Sequence, residues 1–182
     1  MKIILFIMMT TTLLFSSNLS KLYKLYEKQE YVKACDYGLK YYRKNKKNEK
    51  YLTLYGLACI ETNKLSRIAL PMMHLTKSKD ARANASYFGT ILLQKQLLLQ
   101  VLIDKKEIFD LHLPKTNFVL SKIFSLFIKK EYSFKNDIYT FIDAVNSDVY
   151  YKLYIEKNKK NKTYMILDIY TNDKFSKRYQ YE

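Results

Sequence analysis

The chain has 182 residues, 48% of them hydrophobic, enough to bury a core and too many for wholesale disorder. Its formal net charge is +15, yet among 32 basic residues only Arg43, Arg67, Arg82 and Arg178 carry the guanidinium fork that reads guanine or phosphate bidentately, which disfavours a nucleic-acid partner. With Gly at 3 and Pro at 2, breakers are too few for a sandwich of many turns, and helices are favoured.

Lys2 precedes an uncharged run, IILFIMMTTTLLF, and then SSNLS. A basic start, a short apolar run and small polar residues have the pattern of a secretory signal peptide, here residues 1–17, with cleavage expected after Ser16 or Ser17. The run is shorter than the roughly 20 apolar residues of a comfortable bilayer crossing. Neither cleavage site has the Ala-x-Ala form, so an uncleaved inner-membrane anchor, with the membrane contact it brings, is the alternative. No Cys follows the run, so a lipoprotein route has no support. The mature chain is expected to be periplasmic or secreted.

Apolar residues then recur at helical spacing. Leu22, Leu25 and Tyr26 form one stripe, ended by a break at Gln29–Glu30. Tyr31, Ala34, Cys35, Gly38, Tyr41 and Tyr42 form the next, ended by the charge run at 43–47. Asn48 can cap a third helix with Leu52, Tyr55, Gly56, Cys59 and Ile60 on one face. After a break at Asn63–Lys64, Leu65, Ile68, Ala69, Met72 and Leu75 make a fourth. Cys35 and Cys59 either form one bridge, which export would permit, or pack as two small residues on adjacent helices. With no CxxC and no second pair, zinc and thioredoxin-like readings have no support.

Tyr31-x-x-Ala34 and Leu65-x-x-Ile68 recur 34 residues apart, and YFGTILLQ at 87–94 echoes LYGLACIE at 54–61, bringing Gly89 level with Gly56. On these positions and on Tyr55–Gly56, residues 18–109 resemble the tetratricopeptide (TPR) family of helical repeats. The resemblance implies stacked antiparallel helix pairs over 18–113, with Ala34 and Gly56 at close contacts and Tyr31 and Leu65 filling gaps. It implies a third pair whose second helix is LLLQVLIDKKEIF. It also implies that the first helix of each pair presents a peptide-binding face: Tyr23 and Glu27 on the first pair, Lys50, Thr53, Leu57 and Glu61 on the second. The sequence departs from the family where Ile68 replaces a small Ala and where Lys46 and Asp80 stand near the place of the closing Pro. Pro71, inside the fourth helix, is expected to kink it.

Pro114 ends the helical pattern. Thr116 can cap a helix over 116–129 with Leu120, Ile123, Phe124, Phe127 and Ile128 on one apolar face. Beyond KEYSFKN the period becomes two. DIYTFID, VYYKLYIE, TYMILDIY and KFSKRYQY predict a four-stranded antiparallel meander, and residues 114–182 a small α+β domain. One face would carry Tyr151, Leu153, Ile155, Met165, Leu167, Ile169 and Phe175 and pack on the preceding helix. The other would show Tyr164, Asp168 and Tyr170 with Tyr150, Lys152, Tyr154 and Arg178, the last four being partner-binding candidates on a face whose aromatics alternate with bases, a pattern that stacks on nucleobases or sugars.

No constellation for catalysis emerges. His74 and His112 lack ligand spacing. Asp104, Glu107 and Asp110, at spacing three on the expected sixth helix, are interleaved with Lys105 and Lys106 and read as a solvated helix end. The glycines are isolated, and neither GxSxG nor a triad order occurs. The expectation is a non-catalytic bacterial scaffold or adaptor without metal or cofactor, binding a protein or peptide in the periplasm or cell envelope. The alternative is a Lys-rich binder of anionic polymer or membrane surface.

Overall fold

The computed structural model describes residues 17–182, so the predicted signal peptide lies outside the described residues except for Ser17. The elements in chain order are α1 Asn18–Glu27, α2 Tyr31–Asn45, α3 Glu49–Glu61, a 3-10 turn Leu65–Ile68 leading into α4 Ala69–Met72, α5 Lys79–Asp104 and α6 Val119–Ile128. Five strands follow: β1 Ser133–Lys135, β2 Ile138–Ile142, β3 Val149–Lys157, β4 Thr163–Thr171 and β5 Lys174–Tyr181. The fold is mixed α+β, with one antiparallel sheet in the order β1-β2-β3-β4-β5.

Short polar side chains start three of the helices. The Ser17, Asn48 and Ser78 side chains accept from the backbone N–H of Ser20, Tyr51 and Ala81, each at 3.1 Å. These are N–H groups that a helix cannot satisfy internally. Gln29 and Asn63 adopt positive φ, 57° and 59°, and end α1 and α3. Glu49 opens α3 and reaches the next segment, where its carboxylate accepts from the N–H of Thr76, Lys77 and Ser78 at 3.1, 2.6 and 3.1 Å.

Contacts fix the helix directions. The rings of Tyr26 and Tyr31 meet at the first turn, and Tyr37 Oη donates to Asn18 Oδ1, so α1 and α2 run antiparallel. Cys35 and Cys59 are joined in a disulfide between α2 and α3, with Cα atoms 4.8 Å apart. Further along, Tyr51 Oη donates to the carbonyls of Tyr37 and Gly38, making this pair antiparallel too. Gly38 is required by the close approach, because a Cβ there would stand 2.3 Å from the Tyr55 ring. Gly56 faces Phe88 of α5, whose ring would stand 2.3 Å from a Cβ at that position, and Asn84 donates to Thr53 Oγ1. α3 and α5 therefore run parallel, on the same side of the array as α1.

The structure corrects several expectations. The third helical pair does not form: α5 is one helix of 26 residues, and the sequence expected as its partner helix continues it to Asp104. Nothing between Gln94 and Leu97 is a breaker, so the backbone carries on until Lys105 turns to φ 53°. Glu107 and Asp110 consequently lie in the connection after α5, not on a helix. Pro71 falls in the first turn of the short α4, where its missing N–H costs no helical bond. The helix before the sheet starts at Val119 rather than Thr116, whose hydroxyl accepts from Phe118 N instead of capping the helix.

The sheet has five strands rather than four. KEYSFKN, placed before the first expected strand, supplies β1, which pairs with β2 around Asn136–Asp137 at φ 51° and 59°. Asn172–Asp173 make the same kind of turn between β4 and β5. α6 lies over one face: Phe118 meets Tyr181, Phe127 meets Tyr139, and Lys122 Nζ donates to Tyr151 Oη. Tyr151, Leu153, Met165 and Leu167 on that face are buried, as are Ile123, Phe124 and Phe127 of the helix. Phe175 does not join them. A register shift between Ile169 and Tyr170 pairs Phe175 with Tyr170, placing it on the opposite face, 57% exposed. One continuous hydrophobic core runs from Leu22 to Tyr181 through α5.

Candidate functional site: a groove across three parallel helices

Helical periodicity places Lys50, Thr53, Leu54 and Leu57 on one side of α3, and the parallel course of α1, α3 and α5 turns that side into the floor of a groove. Its volume is about 760 Å³. Leu19 and Tyr23 come from α1, Lys50, Thr53 and Leu54 from α3, and Ala81 and Asn84 from α5. Tyr23 is 53% exposed, so its ring is a free apolar surface with a hydroxyl at its tip. Hydroxyls and an amide from Ser17, Ser20, Thr53 and Asn84 supply hydrogen-bonding groups beside the apolar ones.

Of the residues expected on the helical binding face, the structure brings Tyr23, Lys50 and Thr53 into this groove. Leu57 and Glu61 lie further along α3, and Glu27 at the exposed end of α1. Glu61 stands near Tyr26 and Tyr87. Burial first, and this carboxylate second, push both phenols above their ordinary range. The contribution of α5 was missed. Its third repeat unit was placed from Tyr87 onward, although Ser78 followed by Lys-Asp-Ala is a legible helix start.

The sheet candidates are arranged differently. Arg178 donates from Nε and Nη2 to the two carboxylate oxygens of Asp168, at 2.7 and 2.8 Å, and from Nη2 to Tyr154 Oη at 2.8 Å. Tyr154 in turn donates to Asp168 at 2.8 Å. Burial alone would raise the Asp168 carboxyl, but the bonds from Arg178 and Tyr154 hold it below its ordinary value. Burial and the bond to Asp168 push Tyr154 up to about 12. Arg178 and Tyr154 are thus engaged within the sheet. Tyr150 stacks on Tyr170 with ring centroids 4.8 Å apart, and Lys152 Nζ lies 4.8 Å from the Tyr170 ring centroid.

His74 lies beside the Tyr42 ring, and His112 sits in the connection after α5. Among the described residues no cluster of His, Cys, Asp or Glu is placed to hold a metal, and no helix is long and apolar enough to cross a membrane. A scan of protein-family models finds no match, and searches of curated proteins and of solved structures find none.

Proposed function

We propose that the chain is an exported, non-catalytic adaptor whose α1–α3–α5 groove holds a segment of a partner protein. The observation that carries this is the convergence of Tyr23, Lys50, Thr53 and Leu54 in one open groove of about 760 Å³ with mixed apolar and hydrogen-bonding walls. Such a surface suits an extended or helical peptide with small apolar side chains. The antiparallel packing of α2 against the parallel α1 and α3 supports a degenerate TPR-like reading of residues 18–109. The Cys35–Cys59 bridge supports an oxidising compartment and hence export to the periplasm or cell envelope.

The test is site-specific photo-cross-linking in the native cell envelope. A cross-linker at Tyr23 or at Lys50 should give an adduct with the same partner, and Leu54→Glu should remove both adducts while leaving the circular dichroism unchanged. Adducts arising only from sheet positions such as Phe134 or Phe175 would move the binding surface off the helical array and overturn the reading.

A further inference from the structure

One end of the helical array gathers cations. The turn from α2 into α3 carries Arg43, Lys44, Lys46, Lys47 and Lys50, all exposed, and the approach to α5 adds Lys77 and Lys79. Lys44, Lys47, Lys50 and Lys77 line one shallow depression of about 590 Å³. The acid within it, Glu49, is already held by three backbone N–H groups. Among the described residues none of these four lysines forms an ion pair. Glu49 and Asp80 are the acids at this end, fewer than the cations around them, so this end carries a net positive charge without a matching counter-charge.

Two further observations identify that counter-charge. Exposed apolar surface lies at the same end: Met73, 66% exposed, follows α4, and Tyr23 lines the groove that shares Lys50 with the basic depression. Lysines are compact, strongly hydrated point charges suited to a fluid array of phosphates rather than to a fixed base or phosphate geometry. Arg82, a nearby fork, is turned inward, donating to the carbonyls of Thr76 and Lys77.

We propose that this end of the array docks on an anionic lipid surface, with Lys44, Lys47, Lys50 and Lys77 over the lipid phosphates and Met73 at headgroup depth. Docking there leaves the sheet pointing away and the groove open along α3. It also raises the protein's local concentration at the membrane without a sequence-specific contact.

The experiment is co-sedimentation of the purified full chain with vesicles of phosphatidylcholine alone or with phosphatidylglycerol added. Binding should depend on the anionic lipid and fall steeply with salt. Removing each lysine should weaken it about fivefold. The quadruple variant K44E/K47E/K50E/K77E should show no dependence on anionic lipid, whereas K135E/K157E/K159E/K160E, an equal charge change on the sheet, should retain it. Because the chain has no Trp, Met73→Trp supplies a sole indole whose emission should shift to the blue on anionic vesicles. Phe134→Trp should not shift. Equal binding to both vesicle types, or equal loss in the two quadruple variants, would overturn the proposal. So would binding to heparin without binding to vesicles. Leu54→Asn, which adds no charge one turn from Lys50, should leave vesicle binding intact, so the groove and the lipid face fail or stand separately.

Discussion

The helical array and the sheet are both rich in tyrosine, yet they direct its hydroxyl at different partners. In the array the hydroxyls donate to uncharged acceptors: Tyr51 to the carbonyls of Tyr37 and Gly38, Tyr55 to that of Arg67, Tyr37 and Tyr87 to the side-chain amides of Asn18 and Asn117. In the sheet they donate to carboxylates: Tyr151 to Asp143 and Tyr154 to Asp168. Each sheet carboxylate also takes a cation, Lys122 on Asp143 and Arg178 on Asp168. The array adds a disulfide where the sheet adds charge. The reason lies in the surroundings. The Arg67 carbonyl stands four residues before Pro71, which has no N–H to offer it, and Tyr55 reaches it from α3, whereas Tyr51 adds a second bond to carbonyls inside α2. Paired strands leave no such carbonyls, so a polar group buried in the sheet must be answered by another side chain.

The largest effect that would sharpen this contrast is loss of the disulfide. Cys35 and Cys59 are 24 residues apart in sequence, and a cross-link over that span contributes about 3 kcal/mol by constraining the unfolded chain. Cys35→Ala/Cys59→Ala should lower stability by about that amount in urea titrations, and reductant should do the same to wild type. No change in either would mean that the non-covalent contacts alone hold α2 against α3.

The next effect belongs to the sheet. Arg178→Met leaves Asp168, 2% exposed, with Tyr154 but without its cation. Breaking a fully buried pair costs about 3–5 kcal/mol; because Arg178 is partly exposed and water can reach the vacated place, about 2 kcal/mol is expected. The pH dependence carries the sign. In wild type the lowered Asp168 carboxyl contributes stability above its ordinary pKa, and that contribution fades as pH falls through the lowered value. In the variant, burial without Arg178 favours the protonated form, so the deficit should narrow toward pH 4. A deficit that stays constant between pH 7 and pH 4 would show that Asp168 does not sense Arg178.

These contrasts were unevenly legible in the sequence. The helical stripes and the breaks at Gln29 and Asn63 could be read because apolar spacing and helix-ending residues are local. The four longer strands could be read from their period of two. β1 could not, because Ser133, Phe134 and Lys135 are too few to show alternation, and only the Asn136–Asp137 turn marks them. Nor could the course of Phe175: a single-residue register shift reverses every later side chain, and nothing local in the strand announces it. At the groove, the α1 and α3 residues follow from periodicity, whereas the α5 wall depends on where that helix begins. The pairings Tyr154–Asp168–Arg178 and Lys122–Asp143 are tertiary, and only the strand register makes them visible.

A smaller effect tests the array's hydroxyls. Tyr51→Phe removes a donor shared by two carbonyls and should cost about 1 kcal/mol. Its signature is again in the pH dependence, now on the alkaline side. Burial pushes the Tyr51 phenol well above its ordinary range and Tyr55 up to about 12. A raised phenol contributes stability that is complete below pH 10 and is lost as pH climbs toward the folded value. Tyr51→Phe should therefore flatten the alkaline decline while leaving the acid limb untouched, the reverse of what Arg178→Met does.

The smallest effect concerns how the two regions turn the chain. The three glycines, Gly38, Gly56 and Gly89, all sit within helices, and none adopts positive φ. The left-handed positions fall instead to other residues. The array places Gln29, Asn63 and Lys105 there, Lys130 stands there just before β1, and the turns between strands place Asn136, Asp137, Asn161, Asn172 and Asp173 there. Asn and Asp tolerate this region because their short side chains bond locally, whereas a longer side chain meets the full steric penalty of about 1–2 kcal/mol. Part of any gain from glycine is returned as the greater freedom of the unfolded chain. Gln29→Gly should consequently stabilise the protein by roughly 0.5–1 kcal/mol, and Asn172→Gly by less, about 0.3 kcal/mol or under. Chemical denaturation of both variants against wild type measures the difference. If Asn172→Gly gained as much as Gln29→Gly, the sheet's turns would be as strained as the array's, and the distinction between the two sets of turn residues would have no energetic basis.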